Sequence, residues 1–430
     1  MHLPLFLGLL AGLLFLTPES LIAQTATPAS APTIPLSFEA FLAEVAQNNL
    51  EYAAQRYNVS IAQAQIARAR VFPNPAVAAS TFRDISGQSM PSILSLGVTQ
   101  TFVTAGKRRA GIEVAMKNYQ VAGATLDDFF RNLRAAAANA YVDALAAQLI
   151  LEKKQRSAAS LDRLVEANEK RFRDGDLAEI DVVQSRVEAL QFHSEVLAAQ
   201  STLQTALIAL SQFLGAQRSS VTIAPQGRMD VPTKTFVLNE MVEEALQKRP
   251  DVVSAREALE ASRLGVKLAK ANRIPDVDIG VGWQRSFASS NEIAPSPQFD
   301  SIGVSVSVPI PVFNTLRAEL DMARFASEQA EKTFRSVQLK AEVEVRQAYA
   351  RYQLAVERVA KYKEEALRDS ATVLEAKLYS YQRGRASLLE VLNAQRDENN
   401  VYLAYYDTLT EYAKSMVALE QAAGIWDINF

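Results

Sequence analysis

Cysteine is absent from this 430-residue sequence, and histidine occurs only at His2 and His193. Without cysteine the chain has no disulfides, no cysteine–zinc centres, no cysteine nucleophiles and no cysteine to acylate. Two isolated histidines exclude a multi-histidine metal site and leave a serine–histidine–aspartate triad without its parts. His193 falls in a predicted helix, which is typical of a structural histidine. The sequence therefore predicts no catalytic residue, no metal site and no cofactor, and hence no enzyme.

Neither sign of charge is in large excess, because the sequence has 45 Lys and Arg residues and 48 Asp and Glu residues. The net charge of −3 gives no electrostatic reason to expect a nucleic-acid partner. The motif TAGKRR at 104–109 contains a Gly-Lys pair but lacks the spacing of a phosphate-binding loop. Lys107, Arg108 and Arg109 instead begin a predicted helix, where the sequence offers no local partner for them.

Long apolar runs are limited to residues 3–16, LPLFLGLLAGLLFL. This run is shorter than the ~20 residues of a membrane-spanning helix, and it has the length of a secretory signal peptide. We predict a signal peptide over residues 1–23, with an uncleaved anchor as the alternative because no Lys or Arg precedes the run. The Thr, Ala, Ser and Pro content of residues 24–35 predicts a flexible N-terminal segment.

Glycine and proline are few, at 16 residues each, and their placement is informative. No glycine or proline occurs between Val312 and Arg383. A helix over 315–383 would be roughly 100 Å long at 1.5 Å per residue, which no globular domain accommodates. The sequence therefore predicts a rod.

The sequence contains an internal duplication of one structural unit. The segment SLGVTQTF at 95–102 matches SIGVSVSV at 301–308, Arg109-Ala110 matches Arg317-Ala318, and Gly175 matches Gly384. EVAQNNLEY at 44–52 likewise matches EALQKRPDV at 244–252. The offset between matching positions drifts only from 200 to 209, which indicates an internal duplication with small loop differences.

Each repeat reads as a helix, two strands, a very long helix, a turn and a further helix. The predicted map is as follows: first repeat 36–215, with strands 75–84 and 93–103 and helices 107–173 and 177–214; inter-repeat linker 216–236; second repeat 237–424, with strands 276–287 and 299–309 and helices 315–383 and 386–423; C-terminal tail 425–430.

The long helices carry an alanine-rich apolar stripe at steps of three, four or seven residues, as in Leu316, Leu320 and Ala323. Such a stripe is typical of a coiled coil. Periodicity alone thus favours a coiled-coil scaffold.

The four predicted strands argue against a coiled-coil scaffold, because a coiled-coil protein needs no strands. In the segment 300–308, Ile302, Val304 and Val306 alternate with serine and glycine. Strands of about ten residues with one apolar and one small polar face are typical of membrane β-barrels. A sheet in lipid must close on itself, and four strands cannot enclose a pore. We therefore expect several copies to share one barrel, with a soluble sandwich edge as the alternative.

These features together resemble the TolC family of outer-membrane efflux proteins, over everything after the signal peptide. The resemblance rests on the duplication, the paired strands, PIPVFNTLRAEL at 309–320, and the tip segments FRDGDLAEIDVVQSRVEAL and YQRGRASLLEVLNAQRDENN. QTFVTAGKRRAGIEVA and PVFNTLRAELDMA are similar to the heavy-metal branch, which serves cobalt–zinc–cadmium or copper efflux. The resemblance implies a mostly α-helical chain with a membrane β-barrel portion: a homotrimer whose 12-stranded barrel continues into a periplasmic α-helical barrel.

The resemblance also implies where a gate lies. In the family, acidic rings narrow the tunnel at the helical tips, and LEVLN at 389–393 aligns with that motif. Glu390 then takes the first acidic position and Asn393 the second, while the first repeat places Asp181 and Gln184 there. Three copies of Glu390 around an axis would attract cations. The alternative is that Glu390 is a solvated helix residue after a turn.

A latch is implied beside this aperture. Family members hold the tips with a tyrosine before the turn glycine and an arginine just after it. Here the tyrosine is Tyr381, and the arginine position is occupied by Ala386. We expect the neighbouring Arg385, together with Tyr381, to reach Asp181. The turns at Gly175 and Gly384 are the expected docking points for an adaptor.

The functional expectation is an outer-membrane exit duct of a tripartite efflux system. Its expected partners are a periplasmic adaptor, an inner-membrane pump of the resistance-nodulation-division type and the lipid bilayer, and its expected cargo is metal cations. The alternatives are a multidrug or type I secretion outlet of the same family, or a periplasmic coiled-coil scaffold or adaptor without a pore.

Overall fold

The structure is a computed structural model that describes residues 33–85, 90–215, 222–229, 232–293, 295–428 and 430. The predicted signal peptide lies outside the described residues. In chain order the elements are β1 Thr33–Ser37, α1 Phe38–Asn48, α2 Leu50–Arg70, β2 Ala76–Phe82, β3 Ile93–Phe102, α3 Lys107–Arg173, α4 Glu179–Phe213, β4 Thr222–Gln226, α5 Leu238–Lys248, α6 Pro250–Asn272, β5 Val277–Ser286, β6 Phe299–Ser307, α7 Arg317–Lys361, a π-helix Tyr362–Ala366, α8 Leu367–Gln382 and α9 Leu388–Ala423.

The long helices begin and end at the glycines that the sequence analysis used. Helix α3 has the bounds predicted for it, with Gly106 before it and Gly175 after it, both in the left-handed region at φ +69° and +84°. Its 67 residues correspond to about 100 Å. Among the described helices, none is both long and apolar enough to cross a bilayer.

The first helix of each repeat, predicted as continuous, is divided in two. Asn49 separates α1 from α2, and its side chain caps α2 by accepting from the Tyr52 amide at 2.9 Å. Arg249 and Pro250 occupy the matching place between α5 and α6. Proline has no amide hydrogen to donate and is accommodated at the first position of a helix, so a new helix begins there.

The flexible segment predicted over 24–35 is wrong at its end, and the predicted linker 216–236 contains a strand. Residues Thr33–Ser37 form β1, which pairs in parallel with β4. Leu36 and Ile223 are buried in the core, and the Tyr141 hydroxyl lies 2.7 Å from the Leu36 and Gln226 carbonyl oxygens. Burial of alternate apolar residues thus overrides the local Thr and Pro composition.

A second sheet holds the four predicted strands in the order β2-β3-β5-β6, with every neighbouring pair antiparallel. The hairpin of the first repeat is therefore joined to that of the second through β3 and β5. Strands β2 and β6 form the two edges, each with one neighbour in the described chain.

Two clusters of buried apolar side chains lie along the described helices. The main core surrounds β1, β4 and the adjoining parts of the helices, with fully buried Phe41, Tyr141 and Leu419 among its members. The tip core lies near the turns at Gly175 and Gly384 and consists of Ala158, Leu161, Ala189, Phe192, Tyr381, Leu388, Val391 and Leu392. The helix predicted as continuous over 315–383 is divided, because the π-helix Tyr362–Ala366 separates α7 from α8.

Candidate functional site: the four-stranded sheet and the helical tips

The four-stranded sheet has one apolar face and one small polar face. Register aligns Val98, Val281 and Val304 across three strands, and it aligns Leu96, Trp283 and Ile302 one step along. Side chains on a strand alternate between faces, so these rows lie on the same side. Ile302 and Val304 are 78% and 72% exposed, so the apolar side is bare in the single chain.

The opposite face is built from residues with little or no side chain. Gly97, Gly282 and Gly303 lie in one row, and Ser95, Gln284 and Ser301 lie in the next. Gly280 and Ser305 lie in a further row of this face, and a Cβ atom added at Gly280 would be 2.6 Å from the Ser305 hydroxyl oxygen. This row is therefore closely packed. Sequence patterning predicted both faces, and the register brings them into continuous surfaces.

Charged residues mark the two ends of the apolar band. Arg285 and Asp300 face each other at the end near the interstrand loops, with nitrogen–oxygen distances of 2.7 and 2.8 Å. At the other end, Lys107 contacts Asp276 at 2.7 Å. Ten residues at 3.3 Å, tilted by about 40°, rise roughly 25 Å, the height of an outer-membrane apolar band.

Lys107 and Arg108, for which the sequence offered no local partner, have partners where helix α3 begins beside the sheet. Lys107 binds Asp276, which is also the acceptor for the Thr104 amide at 2.9 Å. Arg108 donates to the Arg70 carbonyl at 2.9 Å and lies 4.1 Å from the centre of the Phe72 ring. The cluster joins the helical part of the chain to the sheet.

The tip turns of the two repeats have the same geometry. Gly175 and Gly384 adopt φ +84° and +71°. In both, the amide of the glycine and the amide after it bond back to the last helical turn, as Asp176 to Arg171 at 2.8 Å and Arg385 to Ser380 at 2.9 Å. This is the Schellman arrangement, which satisfies the final carbonyls of a helix. The turns are exposed at one end of the bundle.

Glu390 lies in the first turn of α9 and forms a capping box with Ser387. One carboxylate oxygen accepts from the Ser387 amide at 2.9 Å, and the other is 3.0 Å from Lys377. The Ser387 amide, together with Lys377, lowers the pKa of Glu390 below its usual range, so the exposed side chain stays charged. Asp181 holds the equivalent position in the first turn of α4.

Asn393 and Gln184 lie one turn further along these helices, and both are exposed. Helices α4 and α9 meet at this end, because Arg396 donates from Nε to Glu188 at 2.6 Å. The structure therefore places the four predicted aperture residues on the first two turns of α4 and α9 of one chain. It brings together, in addition, the Arg396–Glu188 pair, which sequence reasoning missed.

The predicted latch has a different geometry within one chain. The Tyr381 hydroxyl donates to Asn168 at 2.8 Å, rather than to Asp181, and Arg171 lies over the Tyr381 ring. Burial raises the pKa of the Tyr381 phenol, and Asp181 is close enough to add to that shift. Within the described part of the chain, exposed Arg385 forms no ion pair with Asp181. Asn168 was missed because a buried asparagine in a helix carries no sequence signal.

Two further expectations concern single residues and metals. His193, predicted to be structural, lies 3.0 Å from Asp162 across the α3–α4 pair, and both side chains are half exposed. Among the described residues, no group of three or more His, Cys, Asp or Glu side chains is arranged to hold a metal ion.

A bare apolar sheet carried on helices of about 100 Å, which turn back at a common end, is the architecture of an outer-membrane channel protein. The chain belongs to the outer membrane efflux protein family, whose sequence model matches residues 41–216 and 241–425. One match falls in each repeat. The family is one of efflux channels, and the chain is accordingly an outer-membrane efflux channel.

Comparisons with individual related proteins agree with this family assignment. The cobalt-zinc-cadmium resistance protein CzcC of Cupriavidus metallidurans is 24% identical over 430 residues, covering 98% of this chain and 99% of the relative. The outer membrane protein TolC of Vibrio cholerae is 25% identical and covers 68% and 69%. Among solved structures, CusC superposes with a TM-score of 0.72 at 20% identity, over 91% and 92% of the two chains, and it supports the fold alone.

Proposed function

We propose that three copies of this chain form one 12-stranded outer-membrane barrel that continues into a periplasmic helical tunnel. The observation that carries the proposal is the exposed apolar sheet face between two edge strands, each of which has one neighbour in the described residues. An open edge in hydrocarbon leaves backbone groups without partners. Strands β2 and β6 run in opposite directions within the sheet. Strand β6 of one copy can therefore pair with β2 of the next in antiparallel orientation, so every neighbouring pair in the closed barrel would be antiparallel.

The helices support the same assembly. Helix α4 carries an exposed apolar stripe at coiled-coil spacing: Ile180, Val183, Val187, Leu190, Leu197 and Ile208. Helix α3 lies between α4 and α9, so α4 forms a lateral edge of the single chain. The other edge, α7 and α8, has exposed Leu354 and Val373. Contact between these edges in neighbouring copies would cover both sets.

As cargo we propose metal cations, delivered by an inner-membrane pump of the resistance-nodulation-division type through a periplasmic adaptor. Support comes from CzcC, a resistance protein for cobalt, zinc and cadmium, which aligns over nearly the whole chain. The adaptor would dock at the exposed turns of Gly175 and Gly384, where two equal helical hairpin ends present matching surfaces. The duct itself would conduct passively.

At the tips, Glu390 and Asp181, with Asn393 and Gln184 one turn above, would line the aperture. Three charged Glu390 side chains around an axis form a ring that favours cations. Within each chain the Ser387 amide and Lys377 lower the pKa of Glu390, which favours the ionised form of this ring.

The closed aperture would be held between neighbouring copies by Arg385 and Asp181, with Tyr381 fixing the tip from within. The two tip segments have complementary charge, since Asp174, Asp176, Glu179 and Asp181 surround the first turn and Arg383 and Arg385 surround the second. Exposed pairs of this kind contribute only about 0–1 kcal/mol each, so an adaptor can open them.

The test is resistance in a host that lacks its own outlet of this type. Expressed with its pump and adaptor, the chain should restore growth in cobalt, zinc, cadmium or copper, and the Glu390→Gln variant should restore it less. Restored export of drugs or of a secreted protein, with metals unaffected, would identify the alternative outlet. A monomeric product in the soluble periplasmic fraction would contradict the channel and indicate a scaffold.

A further inference from the structure

Basic residues collect where the four-stranded sheet joins the long helices. Four stretches of chain form this junction, two in each repeat: ARARVFPNP at 67–75, VTAGKRRA at 103–110, KLAKANRIPDV at 267–277 and PIPVFNTLRA at 309–318. Together they hold nine Lys and Arg residues and a single acidic residue, Asp276, whereas the whole chain has slightly more acidic than basic residues. We call these nine Lys and Arg residues the basic belt.

Ion pairs within the chain account for few of these charges. Lys107 contacts Asp276 at 2.7 Å, and Arg109 contacts Glu113, one turn along the same helix, at 3.2 Å. Arg317, the counterpart of Arg109 in the second repeat, lies 4.0 Å from an acidic side chain one turn along α7. Four members form no ion pair within the described residues: Arg68, Arg70, Lys267 and Lys270. The belt therefore leaves a large excess of positive charge.

Helix electrostatics make part of this charge unfavourable for the single chain. The start of a helix carries partial positive charge, so cations are disfavoured there. Helix α3 nevertheless begins with three basic residues at 107–109, has no acidic residue in its first turn and has no side-chain cap. Helix α7 begins at Arg317 and also lacks a side-chain cap. An anion from outside the chain would compensate both helix starts.

Exposed apolar side chains lie on the sheet side of the belt at every junction. All are at least half exposed, and they are Val71, Phe72, Phe102, Ile274, Ile310 and Phe313. From the sheet toward the helices, the surface thus changes from the apolar band to exposed apolar side chains and then to positive charge. This order is typical of a membrane boundary, where hydrocarbon gives way to headgroups.

Two arginines of the belt project toward the apolar side of the sheet. Lys107 reaches Asp276, which by strand alternation lies on the same face as Asp278, the small polar one. Residues two apart on a helix are separated by about 200°, so Arg109 projects from the opposite side of α3. Arg109 and its counterpart Arg317 are 88% and 84% exposed. Both are therefore placed to meet lipid headgroups.

We propose that the basic belt binds anionic phospholipid headgroups in the periplasmic leaflet of the outer membrane. The guanidinium groups of Arg109 and Arg317 would donate to phosphate oxygens, which arginine binds through two parallel hydrogen bonds. Bound headgroups would offset the charge at the starts of α3 and α7 and fix the depth at which the sheet sits in the bilayer. The inference rests on the proposed barrel only in taking the apolar sheet face as the membrane surface.

Native mass spectrometry of the detergent-solubilised protein measures this lipid preference. The probe is an equimolar mixture of phosphatidylglycerol and phosphatidylcholine with identical acyl chains, so that only the headgroups differ. The wild-type protein should retain phosphatidylglycerol over phosphatidylcholine at least about fivefold, which is the effect of one basic residue near an anionic surface. Raising the salt concentration should reduce the ratio, because exposed charges are screened.

Charge removal at equivalent positions of the two repeats tests the assigned residues. Arg109→Gln combined with Arg317→Gln should lower the lipid ratio about fivefold. Arg109→Lys combined with Arg317→Lys keeps the charge and should preserve most of the ratio. A neutral variant with the wild-type ratio would overturn the proposal, as would equal retention of the two lipids by the wild type.

Arg335→Gln combined with Arg346→Gln is the matched control. Both arginines are exposed on α7 and pair with a glutamate one turn away, as Arg109 does. Arg335, the nearer of the two, lies roughly 27 Å along the helix from Arg317 at 1.5 Å per residue. The control should keep the wild-type ratio, and a loss equal to that of the belt variant would overturn the assignment.

Two further outcomes separate this inference from the proposed barrel. A heat-modifiable trimer without any lipid preference would overturn the belt and leave the barrel in place. A product without trimers would contradict the barrel, while the lipid ratio of that product would still decide on the belt. Belt variants that keep the lipid ratio but no longer bind isolated cell-wall polymer would assign the belt to the cell wall and overturn the lipid proposal.

Discussion

Replacing Val304 with lysine tests which face of the sheet meets lipid. Val304 lies at the middle of β6, opposite Val281, and is 72% exposed in the single chain. A lysine on the lipid side near the bilayer midplane costs about 2–4 kcal/mol in an outer-membrane barrel. A trimer carries three copies, so the assembly should lose roughly 6–12 kcal/mol.

The neighbouring residue provides the control. Ser305 follows Val304 on the same strand and lies on the opposite face. Lysine at Ser305 would project into the aqueous interior, where it changes selectivity rather than stability. Both variants add the same charge one residue apart, so local strand propensity and net charge are matched.

Heat-modifiability on gels and urea unfolding of the trimer in detergent or lipid measure the difference. Val304→Lys should fail to assemble or unfold at much lower urea, and Ser305→Lys should assemble and shift ion selectivity toward anions. Equal stability of the two variants, or the reverse order, would refute the assignment of the faces.

Three further predictions concern the tips and the core. The variant Asp181→Lys with Tyr381→Phe should raise conductance in planar bilayers by removing the latch between tips, and an unchanged conductance would contradict the latch. Glu390→Gln should reduce cation selectivity several-fold; because its pKa is lowered, wild-type selectivity should persist below the usual glutamate range, as reversal potentials across a pH series would reveal. Burial raises the pKa of Glu420 to about 8, so the folded chain holds a proton that the unfolded chain releases at lower pH. Stability should therefore fall as pH rises from the ordinary glutamate value to about 8, and Glu420→Gln should flatten this dependence in thermal melts.

The sequence predicted the parts of the fold that have a strong period or a clear break. Helix α3 was predictable to the residue, because Gly106 and Gly175 lie at its ends and neither proline nor a turn signal interrupts it. The strands were predictable to within three residues because valine alternates with serine and glycine. The β1–β4 pair was not, since its pairing partner is about 190 residues away and its composition is that of a linker.

The tip was predictable in position but not in its contacts. Repeat matching placed Glu390 and Asp181 at equivalent first turns of α9 and α4. The partners depend on packing across helices: Asn168 accepts from Tyr381, and Glu188 pairs with Arg396, over separations of more than 200 residues. The π-helix Tyr362–Ala366 was not predicted, because no glycine or proline interrupts the chain between Val312 and Arg383.

The absence of cysteine makes the assembly directly measurable. Cysteines introduced singly along β2 and along β6, combined in pairs and oxidised in the outer membrane, report which strands lie side by side. Closure by three copies predicts that pairs in one antiparallel register cross-link chains into a ladder that stops at three. Cross-links confined to a single chain, or a ladder that extends beyond three, would contradict the shared barrel.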